Sequence, residues 1–418
     1  MELSTFFAYG GMAMVSLVTA QLGAGVLRTA ADAFTAYQCR RRDLELLDAR
    51  ILVAKREMAV RQSSDKAWEG LRKFRVRWKV AECQGIHSLY LVPHDGRPLP
   101  PFRPGQYLTL SVRLPGDDRP TIRCYSLSDS PKSDYYRLSV KKATPPPDAP
   151  DAPSGKVSSY VNDVVCESDI LDVKAPSGSF YLHTDKETPV VLLAGGVGIT
   201  PVLSMLNYLV DVQSHRQVYF FLGVRNGLDH PFHQHLSEIA RTHDNIKIVT
   251  CYSRPRSNDQ QGCDYDVQGR VTVDLIKQYL GVSNYDFYLC GPPAFLDSLV
   301  TGLKAWGVPK TSIHQEAFGP SRTSKPVAVP DACEKSEVQF AKSNRTATWD
   351  GSLANLLDLA DAAQIPIDSG CRAGNCGTCL TAIKSGSVKY SQDPGCDVDD
   401  GCCLPCIASP DGPLVLDA

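Results

Sequence analysis

The chain has 418 residues, of which 43% are hydrophobic and 22% charged, with a formal net charge of −2 at pH 7. That length suggests two to four domains, and so even a charge excludes a chain built as a whole to bind nucleic acid. Residues 331–418 hold 13 acidic and 6 basic residues, a net of −7, which leaves +5 on the remainder. Of the 15 cysteines, 8 lie after residue 330 and the others are scattered singly. That distribution fits a reducing setting better than a disulfide framework.

Residues 5–27, TFFAYGGMAMVSLVTAQLGAGVL, carry no charge. As a helix they would reach about 35 Å, enough for a hydrocarbon core of about 30 Å. Arg28, Arg40, Arg41 and Arg42 follow, and only Glu2 precedes. This pattern predicts a transmembrane anchor over residues 1–27, with a single-pass membrane localisation and the catalytic part on the cytoplasmic face. A cleaved signal peptide would begin with a basic segment instead. Residues 28–67 repeat Leu44, Leu47, Ile51 and Ala54 at helical spacing, which predicts a helical stalk or a helix packed on the next domain.

A first globular domain is expected over residues 68–186, where short β-rich runs alternate with turns as in an antiparallel barrel. FRPGQYLTLSV (102–112) reads as a strand entered through a Pro-Gly turn. In RCYSLSDSP (123–131), Arg123, Tyr125, Ser126 and Ser128 fall along an extended segment, with Arg123 and Tyr125 on one face. An arginine can neutralise a diphosphate, a tyrosine can stack on a flat ring, and a serine can bond a ring nitrogen. With LSVKK (138–142) and GKVSSYV (155–161) behind it, this string closely resembles the flavin-binding domain of the ferredoxin–NADP reductase superfamily. The flavohaemoglobin reductase module is the nearest variant. The resemblance implies FAD, held by Arg123, Tyr125, Ser126, Ser128, Val140 and Lys141. It places Gly155, Lys156, Val157, Ser158 and Ser159 along the phosphates.

A second domain is expected over residues 187–320. PVVLLAG (189–195), VYFFLGV (218–224), IKIVTCY (246–252) and YDFYLCG (285–291) alternate with helical runs, the pattern of a parallel sheet with crossover helices. GGVGITP (195–201) follows the first of them. Gly196 and Gly198 leave room for a pyrophosphate ahead of a helix N-terminus. Thr200 suits the N-cap and Pro201 the first helical turn. CGPP, with Cys290, Gly291 and Pro292, and HQEAFGP (314–320) resemble the same superfamily. That resemblance implies that Cys290 lies beside the nicotinamide, that Glu316 lies near the flavin and that Phe318 covers its ring. Ser126, Cys290 and Glu316 are the expected catalytic residues. Arg225, Ser253 and Arg254 could receive a 2′-phosphate, whereas the flavohaemoglobin resemblance favours NADH. NADH and NADPH therefore both stay open.

Residues 321–335 read as a linker, and 336–418 as a last domain. CRAGNCGTC (371–379) places Cys371, Cys376 and Cys379 at C-x4-C-x2-C spacing, with Cys406 downstream in LPCIA. Soft thiolates at this spacing hold a plant-type [2Fe-2S] cluster. The β character of EVQFAKSNRTATWD (337–350) and the amphipathic run SLANLLDLADAAQI (352–365) complete a resemblance to plant-type ferredoxins. That resemblance picks Cys406 as fourth ligand ahead of Cys402.

The expected fold class is multidomain: a transmembrane helix, a β-barrel flavin domain, an α/β nucleotide domain and an α+β, β-grasp-like ferredoxin domain. The resemblances imply a membrane-anchored NAD(P)H-dependent reductase that passes electrons through FAD and the cluster to a protein acceptor. A membrane-associated oxygenase is the favoured acceptor, and no nucleic acid is expected as a partner. Alternatives are a membrane redox-sensing or docking module, or a reductase of a hybrid-cluster protein or a quinone.

Overall fold

The computed structural model describes Trp68 and residues 70–418, apart from 118–119, 146–153, 319–334, 371, 373, 375–376, 392–393 and 395–397. The first sheet contains β1 (Arg72–Cys83), β2 (Ile86–Pro93), β3 (Tyr107–Val112), β4 (Thr121–Ser126), β5 (Tyr136–Lys141) and β6 (Ile170–Ser177), with helix α1 (Lys156–Asp163) before β6. Their order is β4-β3-β6-β1-β2-β5, with every pair antiparallel. A bridge between Leu127 and Leu138 brings the two outer strands together, as a barrel requires. Phe74, Leu89, Leu108, Leu110, Leu138 and Val173 fill its interior and are fully buried. Each such side chain stabilises the fold by about 1.5–3 kcal/mol relative to leaving it exposed.

The second sheet is parallel, in the order β10-β9-β8-β7-β11-β12. Its strands are β7 (Val190–Gly195), β8 (Val218–Val224), β9 (Ile246–Tyr252), β10 (Val267–Gln268), β11 (Asp286–Gly291) and β12 (Ile313–Ala317). Between them run α2 (Ile199–Asp211), α3 (His233–Thr242), α4 (Val273–Tyr279) and α5 (Pro293–Ala305). Helices cover both faces, so β7 and β11 are buried at every residue. The chain leaves β7 toward β8 on one side and returns as β11 on the other. Crevices at such reversals, beyond the carboxyl ends of the strands, are where open α/β sheets bind ligands.

The third sheet has the order β14-β13-β19-β15-β17, beside a small β16-β18 pair. These are β13 (Ser336–Phe340), β14 (Arg345–Trp349), β15 (Thr381–Ser385), β16 (Val388–Tyr390), β17 (Cys402–Cys403), β18 (Ala408–Pro410) and β19 (Leu414–Leu416). The parallel β13–β19 pair makes the sheet mixed. Helix α6 (Leu356–Ala362) packs Leu356, Leu359 and Ala360 onto it. It is shorter than the apolar run because the Asn355 side chain accepts from the Asp358 N–H at 2.9 Å and sets the start.

The expected transmembrane helix requires a correction, and the single-pass membrane localisation goes with it. Among the described residues no helix is long and apolar enough to cross a membrane. The longest, α2 and α5, have 13 residues each. They reach only about 20 Å of the roughly 30 Å needed. The anchor expected over 1–27 and the stalk over 28–67 lie outside the described residues, as does most of the linker.

Candidate active site

The turn after β7, Gly196–Gly198, enters α2 directly. Gly196 has φ +57°, which glycine adopts at little cost. A Cβ on Gly198 would sit 2.3 Å from the Cys290 carbonyl oxygen, and one on Gly291 would sit 3.1 Å from the Gly195 Cα. The turn therefore lies against the end of β11 with no side chain between, a cradle that fits a pyrophosphate at a helix N-terminus. Because α2 begins at Ile199, Thr200 lies inside its first turn rather than at the N-cap, and its Oγ1 donates to the Val197 carbonyl at 3.2 Å. Pro201 occupies a first-turn position whose missing N–H costs no helix bond. Pro292 caps α5 on the other side of the crevice.

β11 and β12 bring the expected catalytic residues together. Cys290 pairs with Glu316 in register. Burial pushes the Glu316 carboxyl up to about 8, and the nearby Ser126 hydroxyl of the barrel offsets only part of that rise. Its Oε2 is buried and has no partner among the described residues. Burial, and then the nearby Glu316 charge, push the Cys290 thiol well up, so it stays protonated. Phe318 follows, its N–H donating to the Gly291 carbonyl at 2.9 Å and its ring packing against the core of the second domain.

On the barrel, Arg123 is exposed and its Nη1 donates to the Ile122 carbonyl at 2.7 Å. Tyr125 is half-buried, and burial pushes its phenol up to about 12. Lys156 is exposed, 3.9 Å from Asp117. The buried Ser159 hydroxyl has no partner among the described residues. An open guanidinium, a neutral aromatic ring and two orphaned buried oxygens fit FAD. Other expected flavin residues serve the protein itself. Ser128 is buried, with its Oγ 2.7 Å from that of Ser139. Ser158 donates to the Gly155 carbonyl at 3.0 Å and accepts from the Ala143 N–H at 3.1 Å. Val140 and Val157 lie in the barrel core, and Lys141 reaches Asp229 of the second domain at 3.4 Å. Beyond β8 and β9, the Arg254 N–H donates to the Arg225 carbonyl at 2.8 Å, which holds two exposed arginines side by side. Ser253 is tied back to the Val224 carbonyl.

In the third domain the sulfur atoms of Cys379 and Cys406 lie 3.3 Å apart, both buried. A Cβ on Gly374 would meet Ile407 Cδ1 at 2.4 Å, so the cysteine loop folds directly onto the segment that carries Cys406. Two facing buried thiols, one from each segment, fit an iron–sulfur cluster. Cys403 points into a different core cluster, and burial pushes its thiol up to about 12. Cys402 is half-buried in β17. Cys371, Cys376 and Cys396 lie outside the described residues.

Sequence reasoning missed the contact by which α2 grips the segment after the flavin motif. Its signal was present, because Ser204, Asn207 and Asp211 recur at helical spacing along one side of α2.

Residues 192–300 match the family model of the oxidoreductase NAD-binding domain, and residues 340–411 that of the 2Fe-2S iron-sulfur cluster binding domain. The flavohemoprotein of Halalkalibacterium halodurans is 37% identical over 278 residues, 66% of this chain and 67% of that protein. That of Deinococcus radiodurans is 38% identical over 283 residues, 68% of each. Among solved structures, the flavohem-like FAD/NAD-binding domain of nitric oxide dioxygenase from Vibrio cholerae O1 biovar El Tor is 34% identical with a TM-score of 0.54. It covers 60% of this chain and 100% of that one. Phthalate dioxygenase reductase, at 24% identity and a TM-score of 0.53, shares the fold over 84% of this chain and 98% of its own.

Fold, site and relatives together define a modular flavin reductase. The chain belongs to the ferredoxin–NADP reductase superfamily, in its flavohemoprotein-like branch, and carries a C-terminal 2Fe-2S ferredoxin domain. It is an NAD(P)H-dependent oxidoreductase for electron transfer that uses FAD and a [2Fe-2S] cluster. It spans about two thirds of the flavohemoproteins' length.

Proposed function

We propose that electrons leave this chain singly, from the iron–sulfur domain, to a separate protein, and that this acceptor is an oxygenase. The observation that carries the reading is the Cys379–Cys406 pair, two buried thiols 3.3 Å apart in a domain downstream of the hydride site. Hydride transfer between nicotinamide and flavin needs no such domain. A bound flavin would release the electron pair singly, and a cluster, which carries one electron at a time, would relay each to a protein acceptor. Cys371, Cys376, Cys379 and Cys406 are the proposed ligands. Arg123, Tyr125, Lys156 and Ser159 would hold the flavin. Gly196, Gly198 and Gly291 would admit the nucleotide, with Glu316, Cys290 and Ser126 at the meeting point. As an oxygenase acceptor the proposal draws on two neighbours in fold, one named a dioxygenase reductase and one a self-sufficient cytochrome P450 monooxygenase.

The test compares the intact protein with one lacking residues 331–418. Reduction of ferricyanide by NADH, which the flavin alone can support, should persist in the shortened form. Reduction of a one-electron protein acceptor, and of the metal centre of a purified oxygenase, should fall sharply. Equal loss of both activities, or equal retention, would overturn the proposed exit route.

A further inference from the structure

Helix α2 starts at the nucleotide turn, and its side grips the segment that continues from the flavin-binding strand β4. Three residues of α2 reach three residues of that segment. Ser204 Oγ donates to the Asp129 carbonyl at 2.6 Å. Asn207 Nδ2 donates to the Asp129 carboxylate at 2.8 Å. Asp211 accepts from Lys132 Nζ at 2.5 Å and from the Ser130 hydroxyl.

Asp129 is the centre of this contact and is 7% exposed. Its carboxylate also accepts from the Ser130 N–H at 2.9 Å and from Tyr135 Oη at 2.8 Å, with Arg137 Nη1 at 3.6 Å. Burial alone would raise its carboxyl, but Arg137 and these donors outweigh burial and hold it below the usual range. Asp129 is therefore a fixed anion rather than a titrating one. On the far side, His235 of α3 lies 2.8 Å from Asn207 Oδ1. As the donor there, it leaves the Asn207 amide nitrogen facing Asp129. The contact is specified at both ends.

We infer that Asp129 and Asn207 are positioning residues for hydride transfer. Asp129 lies three residues past Ser126, and Asn207 lies nine residues past Gly198. Nine helical residues span about 13 Å, and a helix transmits a shift at one end to the other. The Asp129–Asn207 bond thus sets the depth at which the nucleotide turn meets the flavin strand. Reacting atoms must approach to about 3–3.5 Å, and a misplacement of about 1 Å costs roughly 100-fold in rate. The inference rests on nicotinamide and flavin meeting at Ser126, Cys290 and Glu316.

The experiment uses the full-length protein with FAD and cluster bound, in four forms besides wild type: Asn207→Ala, Asn207→Asp, Asp129→Asn, and the exchange of Asp129→Asn with Asn207→Asp. Flavin reduction by NADH is followed anaerobically in rapid mixing, together with FAD content and the long-wavelength absorbance of the nucleotide–flavin complex. Asn207→Ala should lower the limiting reduction rate 10- to 100-fold and weaken that absorbance, with FAD content unchanged and NADH half-saturation within about threefold. Asn207→Asp should be worse, because two carboxylates then face each other, and the exchange should recover at least part of the loss. Limiting rates within twofold of wild type for both Asn207 variants would overturn the inference. So would a loss expressed only as weaker NADH binding. If Asp129→Asn releases FAD, the Asn207 variants decide alone, since that side chain belongs to the second domain. Wild-type flavin that NADH fails to reduce would overturn the hydride-site reading, and this inference with it.

Discussion

Gly198 and Cys290 are in backbone contact across the nucleotide crevice, so close that a Cβ on Gly198 would lie 2.3 Å from the Cys290 carbonyl oxygen. The obstacle is backbone in the middle of a parallel sheet, not a side chain that can swing away. Gly198→Ala must therefore push the turn off the end of β11. The expected result is NADH half-saturation raised by more than tenfold with FAD still bound. Titration with NADH checks the first and the flavin spectrum of the purified protein the second. Unchanged NADH binding in Gly198→Ala would mean that the turn does not hold the nucleotide.

Glu316 makes a pH-dependent prediction. Its carboxyl is raised from an ordinary value of 4.5 to about 8, chiefly by burial. A raised folded-state value means stability that is fully present below about 4.5 and is lost as pH climbs through about 8. In the flavin-free protein, going from pH 5 to pH 9 should destabilise the wild type more than Glu316→Gln, which cannot ionise. The difference should reach several degrees in the transition of the flavin and nucleotide domains. Parallel pH profiles for the two proteins would show that the Glu316 side chain is solvated and ionises normally.

Most of the second domain was legible because its strands are buried on both faces. VYFFLGV is an unbroken apolar run and IKIVTCY is interrupted only by Lys247 and Thr250, and the strands β8 and β9 coincide with them residue for residue. The helix over KVSSYVND was not legible, since two serines and two β-branched valines give it no strong helical preference. It starts at Gly155, to whose carbonyl the Ser158 hydroxyl donates at 3.0 Å. The Asp129–Asn207 contact was also hidden, because its partners lie 78 residues apart and each is ordinary in its own segment. Among the cysteines, spacing identified the loop and the resemblance around LPCIA favoured Cys406 over Cys402; the structure sets Cys406 facing Cys379, with Cys402 half-buried in β17 and Cys403 turned into the neighbouring core.

That separation can be checked by substitution. Cys406→Ser should abolish or badly destabilise the cluster and leave flavin bound. Cys402→Ser should keep the visible spectrum of the cluster, because Cys402 is half-buried in β17 and paired with Ala382. Visible absorbance and circular dichroism of the purified proteins distinguish the two. A native spectrum in Cys406→Ser with a lost one in Cys402→Ser would reverse the ligand assignment.

The charge of the last domain sets how its electrons should be delivered. With 13 acidic and 6 basic residues over 331–418, it presents a net of −7 to an approaching acceptor. A protein that takes electrons from this domain should offer a basic face, and attraction between the two should speed their encounter. The screening length is about 10 Å at 0.1 M salt and about 3 Å at 1 M, so the advantage should fade across that range. Transfer to a basic protein acceptor should slow several-fold from low to high salt while flavin reduction by NADH changes much less. Reversing two acidic residues of this domain, Asp399→Lys with Asp400→Lys, should flatten that salt dependence without altering the cluster spectrum. Both side chains are exposed, and they lie seven and six residues before Cys406, the nearest proposed ligand in sequence. Steady-state rates at a series of salt concentrations, with ferricyanide run in parallel, make the comparison. A protein-acceptor rate that rises with salt in the wild type would show that docking is apolar, and that the acidic surface does not guide it.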